Sequence, residues 1–307
     1  MGPKIVEYKS KKTDINYAIS AIPIGGYVAM AGENDESDDP DSFDKKPAWQ
    51  RFIITVAGAS VNVLLGFIVM IIYTCLVNVG GTTVADFLPA DKTGYEVSSA
   101  DSGLVEGDEI IKVDGKRVRI ADELSYEIMR RGNKPIDLTV IRGGEELELY
   151  DVVFPTTGEQ GQIFGAIDFR VFAERKNVGV VLKHSVLKGA WMVRMCWESI
   201  IDLFSGRYSF EAVSGPVGIS SAIGDAARAG VEPLLYITAL ISINLGIMNL
   251  LPIPALDGGR ILTILIEMIT KRRLPTKVEG AINGVGLILL LALSGVILIK
   301  DVLQLIF

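Results

Sequence analysis

Asn244-Leu245-Gly246-Ile247-Met248-Asn249-Leu250-Leu251-Pro252-Ile253-Pro254-Ala255-Leu256-Asp257-Gly258-Gly259-Arg260 lies in an apolar run that opens near Leu234 and stays apolar well beyond Asp257. Asn244, Asn249, Pro252, Pro254 and Asp257 therefore fall at hydrocarbon depth, where an ionised aspartate costs about 2.5–3.5 kcal/mol on insertion scales. Unwound backbone at that depth survives only where protein or a water-filled cavity surrounds it. An intramembrane carboxylate beside Pro-x-Pro and Gly-Gly breaks reads as a functional site. The plainer alternative is a kinked helix end with Asp257 reaching to the interface.

Outward from this stretch, 307 residues with a mean hydropathy of +0.38 and long apolar runs describe a multi-pass membrane protein with one extramembrane domain. A net charge of −7 and the lack of a basic, aromatic-rich patch argue against a nucleic-acid partner. Cys75 and Cys196 form no ligand pair and read as packing residues. A first span is expected from about Phe52 to Val79, with Lys45, Lys46 and Arg51 crowding its start. Gly58, Ala59, Ser60 and Gly66 suit close helix packing, and Asn62 is an amide within the span that needs a partner. A last span is expected from Ala281 to Phe307, after the basic loop Lys271, Arg272, Arg273 and Lys277. Both positive clusters belong inside by the positive-inside rule, so the first span runs outward and the motif span returns inward.

Between the first span and the motif span the chain turns soluble in character. Short β-rich runs at Glu109–Val113, Ile136–Ile141 and Leu147–Phe154 are punctuated by Asp114-Gly115 and Gly143-Gly144, with a helical stretch near Ile120–Arg130. A further β-like piece spans Ile163–Phe172. Val178 to Phe204 carries mixed three and four spacings of apolar residues and reads as an amphipathic helix on the membrane surface, Trp191 and Trp197 at headgroup level. His184, the one histidine, reads as a polar-face residue of that helix. Residues 14–30 mix β-formers with a Pro-x-Gly-Gly break and read as a β-hairpin or β-loop, with Gly25 and Gly26 permitting a tight turn beside Tyr27. Residues 32–44 are an acidic, solvated loop lacking the EF-hand glycine and terminal glutamate.

Asn249-x-x-Pro252-x-Pro254-x-x-Asp257-Gly258-Gly259 resembles the second zinc-ligand motif of the site-2 proteases, intramembrane zinc metalloproteases, and is most similar to their bacterial RseP/RasP type with one PDZ domain. The likeness recurs along nearly the whole chain. Pro23-Ile24-Gly25-Gly26-Tyr27-Val28 resembles that family's membrane-reentrant β-loop, which presents a strand edge to an extended substrate. Ala57-Gly58-Ala59-Ser60-Val61-Asn62 resembles its Ala-Gly-Pro-x-x-Asn element, with Ala59 where proline is usual. Residues 102–115 resemble the Ala-Gly-Leu-x-x-Gly-Asp signature of bacterial PDZ domains. Ser214-Gly215-Pro216-Val217-Gly218-Ile219 resembles a Ser-Gly-Pro-x-Gly-Ile element, taken as a turn.

The resemblance implies a Zn2+ cofactor with Asp257 as one ligand, and substrate-binding roles for Gly25, Gly26, Tyr27, Asn62, Asn249, Pro252 and Pro254. It also implies two histidine ligands and a general-base glutamate from an HExxH helix. No HExxH occurs here. The expectation is that Met1 is an internal methionine and that this helix is missing through a misplaced start, a truncated gene or a fragment, leaving the chain inactive as given. The expected fold is a multi-pass α-helical membrane protein, three spans present and a fourth N-terminal one missing, with an inserted α+β PDZ domain and a membrane-associated β-loop. Its parts are 1–48 (β-loop and acidic loop), 49–80 (span), 81–156 (PDZ), 157–232 (β extension, amphipathic helix and turn), 233–270 (span with the Asp-Gly motif) and 271–307 (basic loop and last span). The expected location is the bacterial inner membrane, with the PDZ domain outside and the acidic and basic loops cytoplasmic. Expected partners are the lipid bilayer, single-span transmembrane substrates such as anti-sigma factors or signal-peptide remnants, and a peptide or chain end at the PDZ domain. A non-catalytic, membrane-anchored PDZ binding module is the competing reading. A transporter built on the broken helix leaves the PDZ signature unexplained and lacks an internal repeat.

Overall fold

The computed structural model describes residues 4–10, 15–21, 28, 30–32, 38–88, 99–158, 163–207, 213–273 and 275–306. Gly25, Gly26 and Tyr27 lie outside the described residues. The chain divides into two compact units, residues 1–54 with 263–282, and residues 55–262 with 283–307.

In the first unit, β1 (Lys4–Lys9) pairs antiparallel with β2 (Asn16–Ser20). The partner of the 16–20 strand is thus an upstream strand, and the hairpin connects ahead of the Pro-x-Gly-Gly break. Helix α1 (Ala48–Leu76) begins here. Its Arg51, 5% exposed, reaches Glu267 at 2.5 Å. A cation this buried is tolerable only when paired, as here.

The second unit holds an antiparallel sheet in the order β10-β3-β4-β6-β7, built from β3 (Gly80–Phe87), β4 (Glu109–Val113), β6 (Ile136–Arg142), β7 (Glu145–Val152) and β10 (Phe169–Ala173). The short β5 (Lys116–Arg117) pairs with β4, and β8 (Thr156–Thr157) pairs with β9 (Phe164–Gly165). The two hairpins turn where both turn residues take positive φ: Asp114 at 46° with Gly115 at 74°, and Gly143 at 61° with Gly144 at 93°. That backbone twist matches the twist of the flanking strands, which is why these dipeptides mark the turns. Helix α2 (Ala121–Arg131) places Asp122 and Glu123 in its first turn and Arg130 and Arg131 in its last, the arrangement its dipole favours. Its Leu124 and Ile128 enter a core with Val84, Leu104, Ile110, Leu138, Val140 and Phe154.

Helix α3 (Val178–Phe204) is the amphipathic helix expected from sequence. Two residues differ from expectation. Trp191 is buried against Tyr126, Met192 and Ile243 rather than placed at the surface, whereas Trp197 is exposed. His184 is fully buried, with Nε2 3.1 Å from Glu174 Oε1. Burial pushes the Glu174 carboxyl up, but His184 and Lys183 beside it bring it below its ordinary value. Cys196 packs in the same core, and Cys75 is exposed.

A polar network binds α2 to α3. Arg130 spans Glu198 at 2.5 Å and Asp202 at 2.7 Å, and Lys116 reaches Glu198 at 3.0 Å. Glu127, fully buried, accepts from Arg131 at 3.0 Å and Arg194 at 2.7 Å. Burial, then the Glu198 charge, pushes the Tyr126 phenol up to about 12. Burial raises Glu198, yet hydrogen bonds from Lys116 and Tyr126 and the Lys116 and Arg130 charges leave it below the ordinary carboxylate range.

Ser214-Gly215-Pro216 opens a helix, α4 (Pro216–Ala229), rather than forming an isolated turn. Proline fits the first helical position because the N–H it lacks would have no intrahelical partner there. The freed N–H groups of Gly215 and Gly218 donate to Asp301, at 3.3 and 3.0 Å. Asp301 lies near the end of α7 (Thr276–Ile306).

Helix α5 (Val231–Leu250) packs on α1 through small residues. A Cβ on Gly66 would come 3.1 Å from the Ala239 carbonyl oxygen, and one on Gly246 would come 2.8 Å from that of Ala59. Ser242 donates to the Asn62 carbonyl at 2.7 Å. The segment 233–270 contains two helices, α5 and then α6 (Asp257–Thr270). Among the described residues three helices are long and apolar enough to cross a membrane: Ala48–Leu76, Val231–Leu250 and residues 278–303 of α7. With the sheet domain between them, this is the architecture of a multi-pass membrane protein.

Two outcomes follow. Gly246→Val drives a branched side chain into α1 and costs about 1–3 kcal/mol, read as a lowered unfolding midpoint in detergent. Because Glu198 is lowered in the folded state, the unfolded chain takes up that proton at higher pH. Its stabilisation is complete above the unfolded value of about 4.3 and is lost as pH falls through the folded value. Hydrogen exchange at the α2–α3 contact accelerates below that window, and Glu198→Gln flattens the dependence.

Candidate functional site

The site grows from the interruption between α5 and α6. Pro252 and Pro254 have no N–H to donate and Pro254 disfavours helical geometry at Ile253, so α5 stops and Leu251 turns extended, φ −63° and ψ 141°. The break keeps its own short-range bonds: Ile253 N–H to the Leu251 carbonyl at 2.7 Å and Leu256 N–H to the Ile253 carbonyl at 3.2 Å. Ala255 takes φ 73°, a left-handed geometry that disfavours a residue with a Cβ by about 1–2 kcal/mol. Its N–H is satisfied from another helix, donating to Asn283 Oδ1 of α7 at 3.2 Å.

Asp257 then starts α6. A carboxylate in a first helical turn is favoured by the positive end of the helix dipole. Both following glycines are sterically required. A Cβ on Gly258 would sit 2.0 Å from the Leu251 carbonyl oxygen, and one on Gly259 would sit 2.5 Å from that of Ile253. Asp257-Gly258-Gly259 is therefore a unit in which the glycines let the broken backbone fold against α6 and so fix where the carboxylate emerges.

Across from it lies α1. A Cβ placed on Gly58 would meet Asp257 Oδ2 at 3.6 Å, so the carboxylate sits beside a side-chain-free patch of that helix. Asn62 is one turn further along the same face, half-buried. Pro254 packs on Gly286 of α7, where a Cβ would come 2.5 Å from Pro254 Cβ. Asp257 and Pro254 thus flank the break, the first beside Gly58 of α1 and the second against Gly286 of α7. Asn249 is half-buried in the last turn of α5, and Pro252 is exposed.

Asn283 and Gly286 are participants that the sequence reading passed over. An amide inside an apolar span, the signal that singled out Asn62, also marks Asn283.

The donors for a metal are few. Among the described residues no three His, Cys, Asp or Glu side chains form a group able to hold an ion. His184 belongs to α3, where Glu174 is its neighbour. Asp257 is one carboxylate ligand candidate, and the described residues do not complete a zinc site around it.

Residues 1–293 match peptidase family M50. Proteins named "Putative zinc metalloprotease" are similar to this chain, that of Clostridium perfringens with 33% identity over 98% of this chain and 87% of its own length, that of Fusobacterium nucleatum with 31% over 98% and 87%. "Zinc metalloprotease RasP" of Geobacillus kaustophilus is 30% identical over 85% of this chain and 60% of its own.

Gly258→Ala collides with carbonyl backbone that has no rotamer to yield, and loses about 1–3 kcal/mol. Gly280→Ala enters open space in α7, and by helix propensity it is neutral or stabilising by up to about 1 kcal/mol. Paired thermal unfolding curves in detergent check the contrast.

Proposed function

The chain belongs to peptidase family M50, and from that premise we propose that it serves the hydrolysis of peptide bonds in membrane-embedded, single-span proteins, with Asp257 as one protein ligand of a catalytic zinc. The observation that carries this reading is the Asp257 carboxylate, emerging from a broken helix onto the bare Gly58 patch of α1. Among the described residues the zinc site is incomplete around Asp257, and the other ligands and the general base are assigned to groups beyond them.

The residues that are present receive positioning roles. Peptide bonds in a helical substrate are buried in their own hydrogen-bond ladder and must be unwound before attack. Asn62 and Asn249 offer side-chain amides to the freed backbone, while the Pro252–Pro254 break provides an irregular surface against which an extended segment can lie. Gly25, Gly26 and Tyr27 are assigned to a strand edge that pairs with the same segment.

Outside the spans, residues 81–156 together with β10 are assigned as a PDZ domain. Among the described residues β10 pairs only with β3 and forms one edge of the sheet, the feature a strand-adding peptide or chain end needs. The proposed orientation puts Lys45, Lys46 and Arg51 and the loop with Lys271, Arg272 and Arg273 inside and the PDZ domain outside, in the bacterial inner membrane. The incomplete ligand set favours one second reading, a membrane-anchored module that binds such proteins without cutting them.

Zinc content and cleavage of a single-span reporter, measured on the protein purified from its native membrane beside Asp257→Ala, decide between these. The peptidase reading expects about one zinc per chain and cleavage in the wild type, with both lost in the variant. Zinc and cleavage retained by Asp257→Ala would remove Asp257 from the ligand set. A wild type that holds reporter but neither zinc nor activity is the binding module.

A further inference from the structure

Where α2 and α3 meet the start of α5 lies a pocket of about 480 Å³ that the peptidase reading leaves unused. Its walls include Asp122, Tyr126 and Met129 of α2, Lys188 and Trp191 of α3, and Tyr236 of α5. That volume is in the range of small-ligand sites, which favour junctions between substructures.

Its polar groups are unusual for such an apolar setting. Lys188 is 5% exposed, with its ammonium 3.0 Å from the Asp122 carboxylate and 5.2 Å from the centre of the Tyr73 ring. Trp191 is 7% exposed, and its indole N–H is buried with no hydrogen-bond partner. An indole N–H can only donate, so it calls for an acceptor, and a buried unsatisfied donor is a penalty folds rarely keep. Lys188 and Asp122 together place one positive and one negative group in the wall.

The location narrows the ligand. Tyr73 is near the end of span α1 and Tyr236 near the start of span α5, their ring centroids 5.6 Å apart. Tyrosine and tryptophan collect where spans leave the hydrocarbon for the headgroup layer. A purely anionic head group would meet Asp122 and a purely cationic one Lys188, whereas a head group carrying both charges matches both. The aromatic and methionine surface beside them suits an amphiphile better than a free ion.

We propose that this pocket binds the head group of a zwitterionic phospholipid of the phosphoethanolamine type. The phosphate is taken by the Lys188 ammonium and the Trp191 N–H, and the lipid ammonium by the Asp122 carboxylate.

The test uses the full chain in detergent, titrated by native mass spectrometry with dihexanoyl phosphatidylethanolamine, dihexanoyl phosphatidylglycerol and free phosphoethanolamine. It is independent of zinc and of peptidase activity, so its failure and that of the peptidase reading are distinguishable. The expected result is one phosphatidylethanolamine retained per chain at concentrations where the other two do not bind. Trp191→Phe keeps an aromatic ring but removes the donor, and weakens retention about tenfold. Met129→Trp, at a half-exposed wall position outside the ion pair, fills the pocket and weakens retention at least as much. Circular dichroism and unfolding midpoints confirm that both variants are folded. Free phosphoethanolamine binding as well as the lipid would overturn the lipid source, and equal retention of phosphatidylglycerol would overturn the zwitterion. Wild-type retention by both folded variants would overturn the pocket.

Discussion

Backbone polar groups at hydrocarbon depth must be satisfied within the protein, and the arrangement around residues 251–256 answers that requirement. Two prolines end α5 and remove two donors. Of the remaining N–H groups, that of Leu251 turns back to Met248 in α5, those of Ile253 and Leu256 turn to carbonyls within the break, and that of Ala255 turns to Asn283. The geometry that makes this possible brings carbonyl oxygens so near α6 that only glycine fits at 258 and 259. Asp257 is held by the same packing. Loosening the break to relieve Gly258 would also move the carboxylate relative to Gly58.

The sheet domain is fixed by a different kind of contact. Its α2 helix joins α3 through arginines and carboxylates rather than an apolar seam alone, with Arg130 bridging Glu198 and Asp202 and Glu127 receiving two arginines. Buried charges of this kind add little net stability, yet each becomes costly when its partner is removed. The network therefore specifies one placement of α2 on α3. Tyr126 and Trp191, ring centroids 5.9 Å apart, fill the space directly beside it.

Much of this was legible from residue patterns. Asp114-Gly115 and Gly143-Gly144 gave the hairpins because their backbone demands are local, and the amphipathic helix was plain from the spacing over Val178–Phe204. Asp257 stood out because a charge in an apolar run has few explanations. Patterns were less informative wherever a distant element decides the outcome. His184 looked like a polar-face residue, but Glu174, ten residues upstream, lies beside it and burial closes over it. Trp191 looked interfacial because periodicity does not reveal that Tyr126 and Ile243 cover it. Ser214-Gly215-Pro216 looked like a turn because the carboxylate that receives the Gly215 and Gly218 N–H groups belongs to Asp301, in the last helix. Asn283 was overlooked for the same reason: its partner, the Ala255 N–H, exists only once the prolines have broken α5.

The α1–α5 seam connects the two regions where chemistry is concentrated. Tyr73 and Tyr236 meet at one end of it, and at the other Gly58 faces Asp257 while α5 runs into the break. Twenty residues of α5 span about 30 Å. Between those ends Gly66 packs on Ala239 and Gly246 on Ala59, with Ser242 bonded to the Asn62 carbonyl. Gly66 also faces the Ile243 side chain and Gly246 that of Val63, but the Ala239, Ala59 and Asn62 carbonyls are backbone, which cannot change rotamer to accommodate sliding. The glycines therefore do more than allow close approach: they set the axial register of α5 on α1, and with it the depth at which α5 ends and Asp257 begins.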